Sequence, residues 1–456
     1  MNWITPKLRT EVAANLRLAL PLIAAQAAAV GMGTIDTIYA GQLGPDALTA
    51  VAVGVNINTL FLIFFMGLLM ACSPIVAHML GGQRAAVEIG TFMRRARRFS
   101  VAMGVLWMVL LNLVAPLVLK HLNLSSETVT HAVSFERWLS ASAIGTSIWF
   151  CLRFSAEGVG QVRPIVIASV GGLAANALLG WLFVFGHLGM PALGIRGCGL
   201  ATTLSMLLMS GLLAVQYRYV PQLKAYLGPS DGIPAPEGVR DILRLGLPIA
   251  LILLAEGGLF VFTAMLMARF GGTVVAAYQV AINFASLAFM IPLGVAMATT
   301  VRVGLAAGAG AHAEARYRGF VGMRLGLVNA ASNAAFMAIF PLTIVGFYTQ
   351  DAQIAAQAAG FLLLAAGFQF FDGLQATASG ALRGIKDTRM PMLITLVSYW
   401  LIGMPVALWL AFYLAHGPAA LWWGLTAGLG VAAVGLSLRF NRKSYKTMRI
   451  GSKQAA

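Results

Sequence analysis

Runs of about twenty or more apolar residues recur from one end of this 456-residue chain to the other. A helix of that length spans the hydrocarbon core of a bilayer, where no water satisfies backbone N–H and C=O groups. A chain built of such runs must therefore close its hydrogen bonds within helices, and the expected class is an all-α polytopic membrane protein. The runs place twelve transmembrane helices near 16–40, 47–79, 99–120, 132–156, 164–186, 194–217, 243–270, 274–306, 324–348, 354–382, 390–415 and 418–439. The start lacks a signal-peptide pattern, so residues 1 to 15 read as a retained cytoplasmic lead-in.

The net charge of +16 would suit a nucleic-acid binder, but its placement does not. Arg84, Arg94, Arg95, Arg97 and Arg98 lie between helices 2 and 3, and Arg316, Arg318 and Arg324 between helices 8 and 9. Arg383, Lys386 and Arg389 precede helix 11; Arg439, Arg442, Lys443, Lys446, Arg449 and Lys453 follow helix 12. Alternate loops thus carry the positive charge that orients membrane helices, and both termini are expected in the cytoplasm, with no nucleic acid bound. Cys72, Cys151 and Cys198 form no paired motif and read as small core residues. Asn123 opens an N-x-S tripeptide of the kind that arises by chance.

A shift of 227 residues superimposes the two halves of the chain. Leu16-Arg17-Leu18 falls on Leu243-Arg244-Leu245, Pro21 on Pro248, Gly44 on Gly271, Asn56 on Asn283, Gly67 on Gly294 and Gly81 on Gly308. Six helices separate the copies, so the halves are two parallel six-helix repeats. The expected division is an N-lobe over 1–217, a cytoplasmic linker over 218–242, a C-lobe over 243–439 and a basic tail over 440–456. Repeats about a central site are common in alternating-access carriers, although channels have them too.

Three of the fifteen acidic residues read as intramembrane: Asp36 in helix 1, Glu256 in helix 7 and Asp372 in helix 10. A carboxylate at mid-bilayer costs about 2.5–3.5 kcal/mol on insertion scales and normally faces a cavity or a partner. Asp36 reads as lying toward the outer end of its helix, within reach of water. No helix is expected to hold a basic residue as a fixed counter-ion, so these carboxylates must take a proton, an inorganic cation or a cationic substrate. Asn176, Tyr278, Gln279, Asn283, Thr377 and Ser379 offer oxygen ligands or cavity polarity. Phe284, Phe289, Met290, Phe368, Phe371, Tyr399 and Trp400 offer adaptable apolar and ring-face contact for a lipophilic cation. Pro21, Pro74, Pro292 and Pro405 can place bends. No nucleotide-binding loop, HExxH or metal-spaced Cys/His cluster occurs in the sequence and no GxSxG lies within the twelve apolar runs, so neither an ATPase nor an intramembrane hydrolase is indicated.

The stretch from Val274 to Gly310, Pro21 fifteen residues before Asp36, a glutamate in helix 7 and an aspartate in helix 10 together resemble the multidrug and toxic compound extrusion (MATE) transporters, in their NorM-like branch. The resemblance implies an antiporter, not an enzyme, that exports small cationic amphiphilic drugs in exchange for Na⁺ or H⁺ across a bacterial inner membrane. Glu256 and Asp372 would then form a Na⁺ or proton site in the C-lobe, with Asp36 the titratable residue of the N-lobe. No cofactor beyond the coupling ion is expected, and the protein is expected to be a monomer. Gly180 stands where relatives often have Asp or Asn, and Phe368 where some have a tyrosine. A lipid-linked saccharide flippase of the same superfamily is the rival carrier, disfavoured by the lack of intramembrane Arg or Lys; an ion channel is the rival of a different class.

Overall fold

The computed structural model describes residues 5–121, 125–228 and 237–455, with side chains to residue 450. Asn123 and positions 229–236 of the linker lie outside the described residues, as does the side chain of Lys453. Twelve helical spans follow one another, and no strand occurs among the described residues. They are α1 (Pro6–Gln42), α2 (Pro45–Gly81), α3 (Ala86–His121), α4 (Ser126–Ser140 and Ser142–Gly158), α5 (Arg163–Phe185) and α6 (Ile195–Tyr219). The second six are α7 (Val239–Phe270), α8 (Gly272–Gly308), α9 (His312–Ile339), α10 (Ala352–Gly384), α11 (Arg389–Tyr413) and α12 (Ala419–Ala455).

Ten of the twelve are long and apolar enough to cross a bilayer. The exceptions have local causes. α4 is interrupted at Ala141 into two shorter helices. α9 carries Arg316, Arg318, Arg324, Asn329, Ser332 and Asn333 along its length. Several helices outrun their apolar stretches: α3 begins at Ala86, before its arginines, and the basic tail continues α12 as helix. Hydropathy marks the lipid-facing part of a helix, whereas its hydrogen-bond ladder runs on into polar ends.

The chain divides into two compact units. One, here the C unit, comprises Met1–Ile23, Ala77–Gly82 and Leu251–Ala456; the other, the N unit, comprises Ala24–Val76 and Gln83–Ala250. Three helices therefore pass from one unit into the other: α1 after Ile23, α2 after Val76 and α7 after Ala250. A proline stands two residues before each crossing: Pro21, Pro74 and Pro248. Pro21 and Pro248 stand inside their helices, where each removes one intrahelical hydrogen bond and crowds the preceding turn. Pro74 stands in the first turn of Cys72–Gly81, after a break in α2 at Met70 and Ala71, so the backbone ladder is interrupted close to each crossing.

In the C unit the core gathers Tyr278, Phe368, Tyr399 and Trp422, each almost fully buried. The ring of Phe368 stands edge-on to Phe260 at 5.8 Å and to Trp422 at 6.2 Å. The first turns of α1 join this unit through charge: Glu11 accepts from Arg302 on α8 and lies 3.6 Å from Arg318 on α9, while Lys7 reaches Glu314 at 2.9 Å. In the N unit Phe65 stacks on Trp107 at 5.4 Å. Small residues let the backbones there meet: a Cβ on Gly246 would stand 2.1 Å from the carbonyl oxygen of Leu68.

Two expectations about charge need correction. Arg153, inside α4, is 3% exposed and pairs at 2.8 Å with Glu157, itself 1% exposed. Arg383, in the last turn of α10, is also buried. The helices thus do hold basic residues, and Arg153 escapes the cost of isolation because its counter-charge lies one turn along the same helix. Glu136, with both carboxylate oxygens buried and without a hydrogen-bond partner among the described residues, joins Glu157 as a further buried acid. Breaking the α4 pair leaves one buried charge uncompensated. Arg153→Met is expected to cost about 3–5 kcal/mol, and Arg153→Met combined with Glu157→Leu is expected to recover most of that loss. Thermal unfolding of the purified variants in detergent checks both.

Candidate functional site

Two groups of polar residues are built inside the helices, one in each unit. In the N unit, α1, α5 and α6 bring Asp36, Asn176 and Thr202 together. Asp36 is 6% exposed, so the structure removes it from the water expected around it. Its Oδ2 lies 2.7 Å from the Thr202 hydroxyl, and its Oδ1 accepts from Asn176 Nδ2 at 3.2 Å. The Thr202 hydroxyl also lies 3.0 Å from the carbonyl of Cys198. With one proton to donate it serves one acceptor at a time. Neutral donors thus hold this carboxyl, and among the described residues it forms no ion pair.

Gly180 has a steric explanation in the same place. Tyr39, one turn beyond Asp36 on α1, donates its hydroxyl to the carbonyl of Ala177 at 2.8 Å. An edge of its ring is turned to position 180, where a Cβ would come within 2.4 Å of Cε2 and 2.7 Å of Cδ2. The tyrosine fills the volume that a larger residue on α5 would need.

In the C unit, α7, α10 and α11 converge. Asp372 is 3% exposed and its Oδ1 has no hydrogen-bond partner among the described residues. Glu256, half-buried on α7, lies within electrostatic reach of Asp372, and the Tyr399 side chain lies within reach of both. Tyr399 is fully buried, and its hydroxyl likewise lacks a partner among the described residues. It sits in a π-helical stretch of α11, Val397–Gly403, the kind of local unwinding that recurs at functional positions. Next to it, Trp400 donates Nε1 to the carbonyl of Ala255 at 3.3 Å, which ties α11 to the turn carrying Glu256. Gln369, one turn before Asp372, donates to the carbonyl of Ala285 at 2.6 Å, and its own oxygen has no partner among the described residues. Two carboxyls and a phenol within electrostatic reach of one another make an all-oxygen group suited to a hard monovalent cation or to shared protons. Arg383 is within electrostatic reach of Glu256. The site therefore has a cationic neighbour that the sequence reading excluded, and the objection to the flippase reading loses its simplest form.

The remaining sequence candidates disperse. Tyr278 is buried in the core and donates to the carbonyl of Phe260 at 3.3 Å. Gln279 and Asn283 are exposed on α8, Asn283 accepting from Tyr348 at 3.0 Å. Phe284, partly exposed, stacks against Phe336, and Phe289 and Met290 are also partly exposed. Phe368 is locked among Phe260 and Trp422. Thr202 went unread in the sequence. It is one hydroxyl in an apolar helix, and only the two neighbouring threonines at 202 and 203 hint at it.

The MatE family model matches the chain twice, over residues 21–182 and 248–409. The chain belongs to the MatE family. Both ends of the second match are displaced by 227 residues from the first (248 − 21 and 409 − 182), the offset that superimposes the halves of the sequence. This MatE chain is 37% identical over 442 residues to a probable multidrug resistance protein NorM of Xanthomonas axonopodis pv. citri, covering 96% of each. It is 39% identical to a probable NorM of Pseudomonas aeruginosa, covering 98% of this chain and 92% of that protein. A solved structure described as the outward-facing conformation of a multidrug resistance MATE family transporter of the MOP superfamily shares the fold. Its TM-score is 0.86 at 22% identity, covering 98% of this chain and 99% of that one. The twelve-helix, two-repeat architecture is thus the MATE fold.

The ring edge against position 180 makes the steric reading of Gly180 testable. Gly180→Asn is expected to lower stability by roughly 1–3 kcal/mol through overpacking. Adding Tyr39→Ala should restore part of the loss by opening the space. Thermal midpoints of the single and double variants in detergent decide it.

Proposed function

We propose that this protein is a cation-coupled exporter of cationic, amphiphilic compounds that works by alternating access, without covalent chemistry. The observation that carries the reading is the pairing of Glu256 and Asp372 within electrostatic reach on different helices, with the unpartnered hydroxyl of Tyr399 beside them. A carboxyl pair in an apolar surrounding favours whatever neutralises it: a proton, Na⁺ or a cationic substrate. Relatives at 37% and 39% identity that are named multidrug resistance proteins support the substrate class.

In this cycle Na⁺ or H⁺ enters from outside and neutralises the pair, which weakens its hold on a cationic drug. The drug leaves outside, the accessible side switches, and the cation is released to the cytoplasm. Only a difference in affinity between the two states drives such a cycle. The NorM-like resemblance favours Na⁺ held by Glu256 and Asp372. Asp36, held by neutral donors, is the second titrating group, and Asn176, Tyr278, Gln279, Asn283, Phe284, Phe289, Met290 and Phe368 are the candidate substrate contacts. The prolines ahead of the three crossings between units support the switching step, since the backbone ladder is interrupted close to each. The N-lobe and C-lobe division, a monomeric state, residence in a bacterial inner membrane and cytoplasmic termini complete the proposal, the last from the positions of the basic residues.

Drug efflux from proteoliposomes with independently imposed Na⁺ and pH gradients tests the reading. Asp372→Asn and Glu256→Gln are each expected to lower gradient-driven efflux at least about tenfold, with little change in thermal midpoint. The gradient that restores wild-type efflux names the coupling ion. Wild-type rates in both variants, or drug-independent collapse of the imposed gradient, would reject coupled exchange.

A further inference from the structure

A cavity of about 560 Å³ opens in the N unit at the end of the helices that carries the arginine-rich start of α3. Arg94 and Arg97 of α3 and Arg218 in the last turn of α6 line it. Arg94 is set in place: its Nη1 donates to the carbonyl of Gly228 at 2.6 Å and its Nη2 to Thr91 Oγ1 at 3.2 Å. Arg97 and Arg218 are exposed, and among the described residues no carboxylate lies within ion-pairing distance of any of the three. Three guanidiniums around one concavity make a site for an oxyanion, which Arg97 and Arg218 can each meet with two parallel hydrogen bonds while Arg94, tied to Gly228 and Thr91, adds its charge.

The position selects the kind of oxyanion. Arg97 precedes by two residues the apolar run of α3 that begins at Phe99, and Arg218 stands one residue before the end of α6. The arginines therefore lie at the level of lipid head groups. The wall of the same cavity carries Val215, 50% exposed, and Leu227, 42% exposed. A free phosphate would leave both in water, whereas an acyl chain descending from the head group covers them. From this combination we infer that the cavity is a binding site for an anionic phospholipid, its phosphodiester held by Arg94, Arg97 and Arg218 and its acyl chain lying on Val215 and Leu227. Such a lipid bridges α3, α6 and the segment after α6, so it also fastens the start of the linker to the helices. The site is separate from the carboxyl pair of the C unit and does not depend on the coupling ion.

Native mass spectrometry of the full-length, delipidated protein titrated with phosphatidylglycerol tests the assignment. One tightly held lipid is expected on the wild type, with phosphatidylcholine retained far more weakly. Each guanidinium at head-group level contributes about fivefold, so Arg97→Gln with Arg218→Gln should weaken retention on the order of tenfold or more. Arg97→Lys with Arg218→Lys should keep most of it. Arg95→Gln with Arg98→Gln makes the same charge change on α3 away from the cavity and should leave retention unchanged. Equal retention by the Arg97/Arg218 glutamine variant and the wild type overturns the proposal, as does an equal loss in the Arg95/Arg98 variant. Displacement of the lipid by glycerol 3-phosphate at matching concentration overturns it too, because the site would then recognise free phosphate alone.

Discussion

An ionised side chain inside an apolar phase must be compensated or changed, because water is not there to solvate it. This chain meets that constraint in three ways, and its functional geography follows from them. On α4 the charge is cancelled outright, Arg153 against Glu157 within one helical turn. At Asp36 it is spread over the hydroxyl of Thr202 and the amide of Asn176, neutral donors from two other helices. At Glu256 and Asp372 two like-charged groups are brought together, and Asp372 keeps an oxygen with no donor among the described residues. The first arrangement is stable whatever the surroundings contain. The last keeps an unpartnered oxygen on Asp372 among the described residues even with Arg383 within electrostatic reach of Glu256, and in that sense it is open to a ligand.

The contrast between the two acidic sites also bears on the repeat. The 227-residue offset relates backbone features closely enough that the family model matches both copies over the same span. Pro21 and Pro248 occupy corresponding positions, and so do the crossings between units that follow them, after Ile23 and after Ala250. The charges are not copied: Glu256 corresponds to Ala29 and Asp36 to Thr263. Thr263 is buried and donates to the carbonyl of Leu259 one turn earlier, so the C unit has a self-satisfied hydroxyl where the N unit has its acid. Scaffold was duplicated and chemistry was divided.

Much of the fold was legible because hydropathy and proline act locally, through desolvation and backbone geometry that each residue carries with it. Helix positions, the repeat and the three principal carboxylates are all of this kind. What was not legible depended on partners distant in sequence. Thr202 gains its role from Asp36, 166 positions away. Tyr399 was read as an aromatic surface and is a buried phenol facing two acids across helices. Arg153 and Glu157 failed for a different reason: each alone resembles a residue near a helix end, and only their spacing of four, placed on a buried face, shows a compensated pair. α9 was read from its apolar run near 324–348, although the polar residues along it leave it outside the ten most clearly membrane-crossing helices.

Gly180 shows how such partner-dependent facts can carry through to chemistry. A glycine in the middle of a helix costs about 1 kcal/mol relative to alanine, so its retention calls for a reason. The reason is the ring of Tyr39, which stands one turn from Asp36 and is itself tied to α5 through the carbonyl of Ala177. Glycine at 180 lets α1 and α5 close around that ring. This closure sets the Asn176 amide, one turn before Gly180, within 3.2 Å of the carboxyl. At this position the N unit has room for an aromatic wedge that aims the Asn176 amide. Its acid is therefore held by positioned neutral donors, while exchange of an outside cation falls to the pair in the C unit.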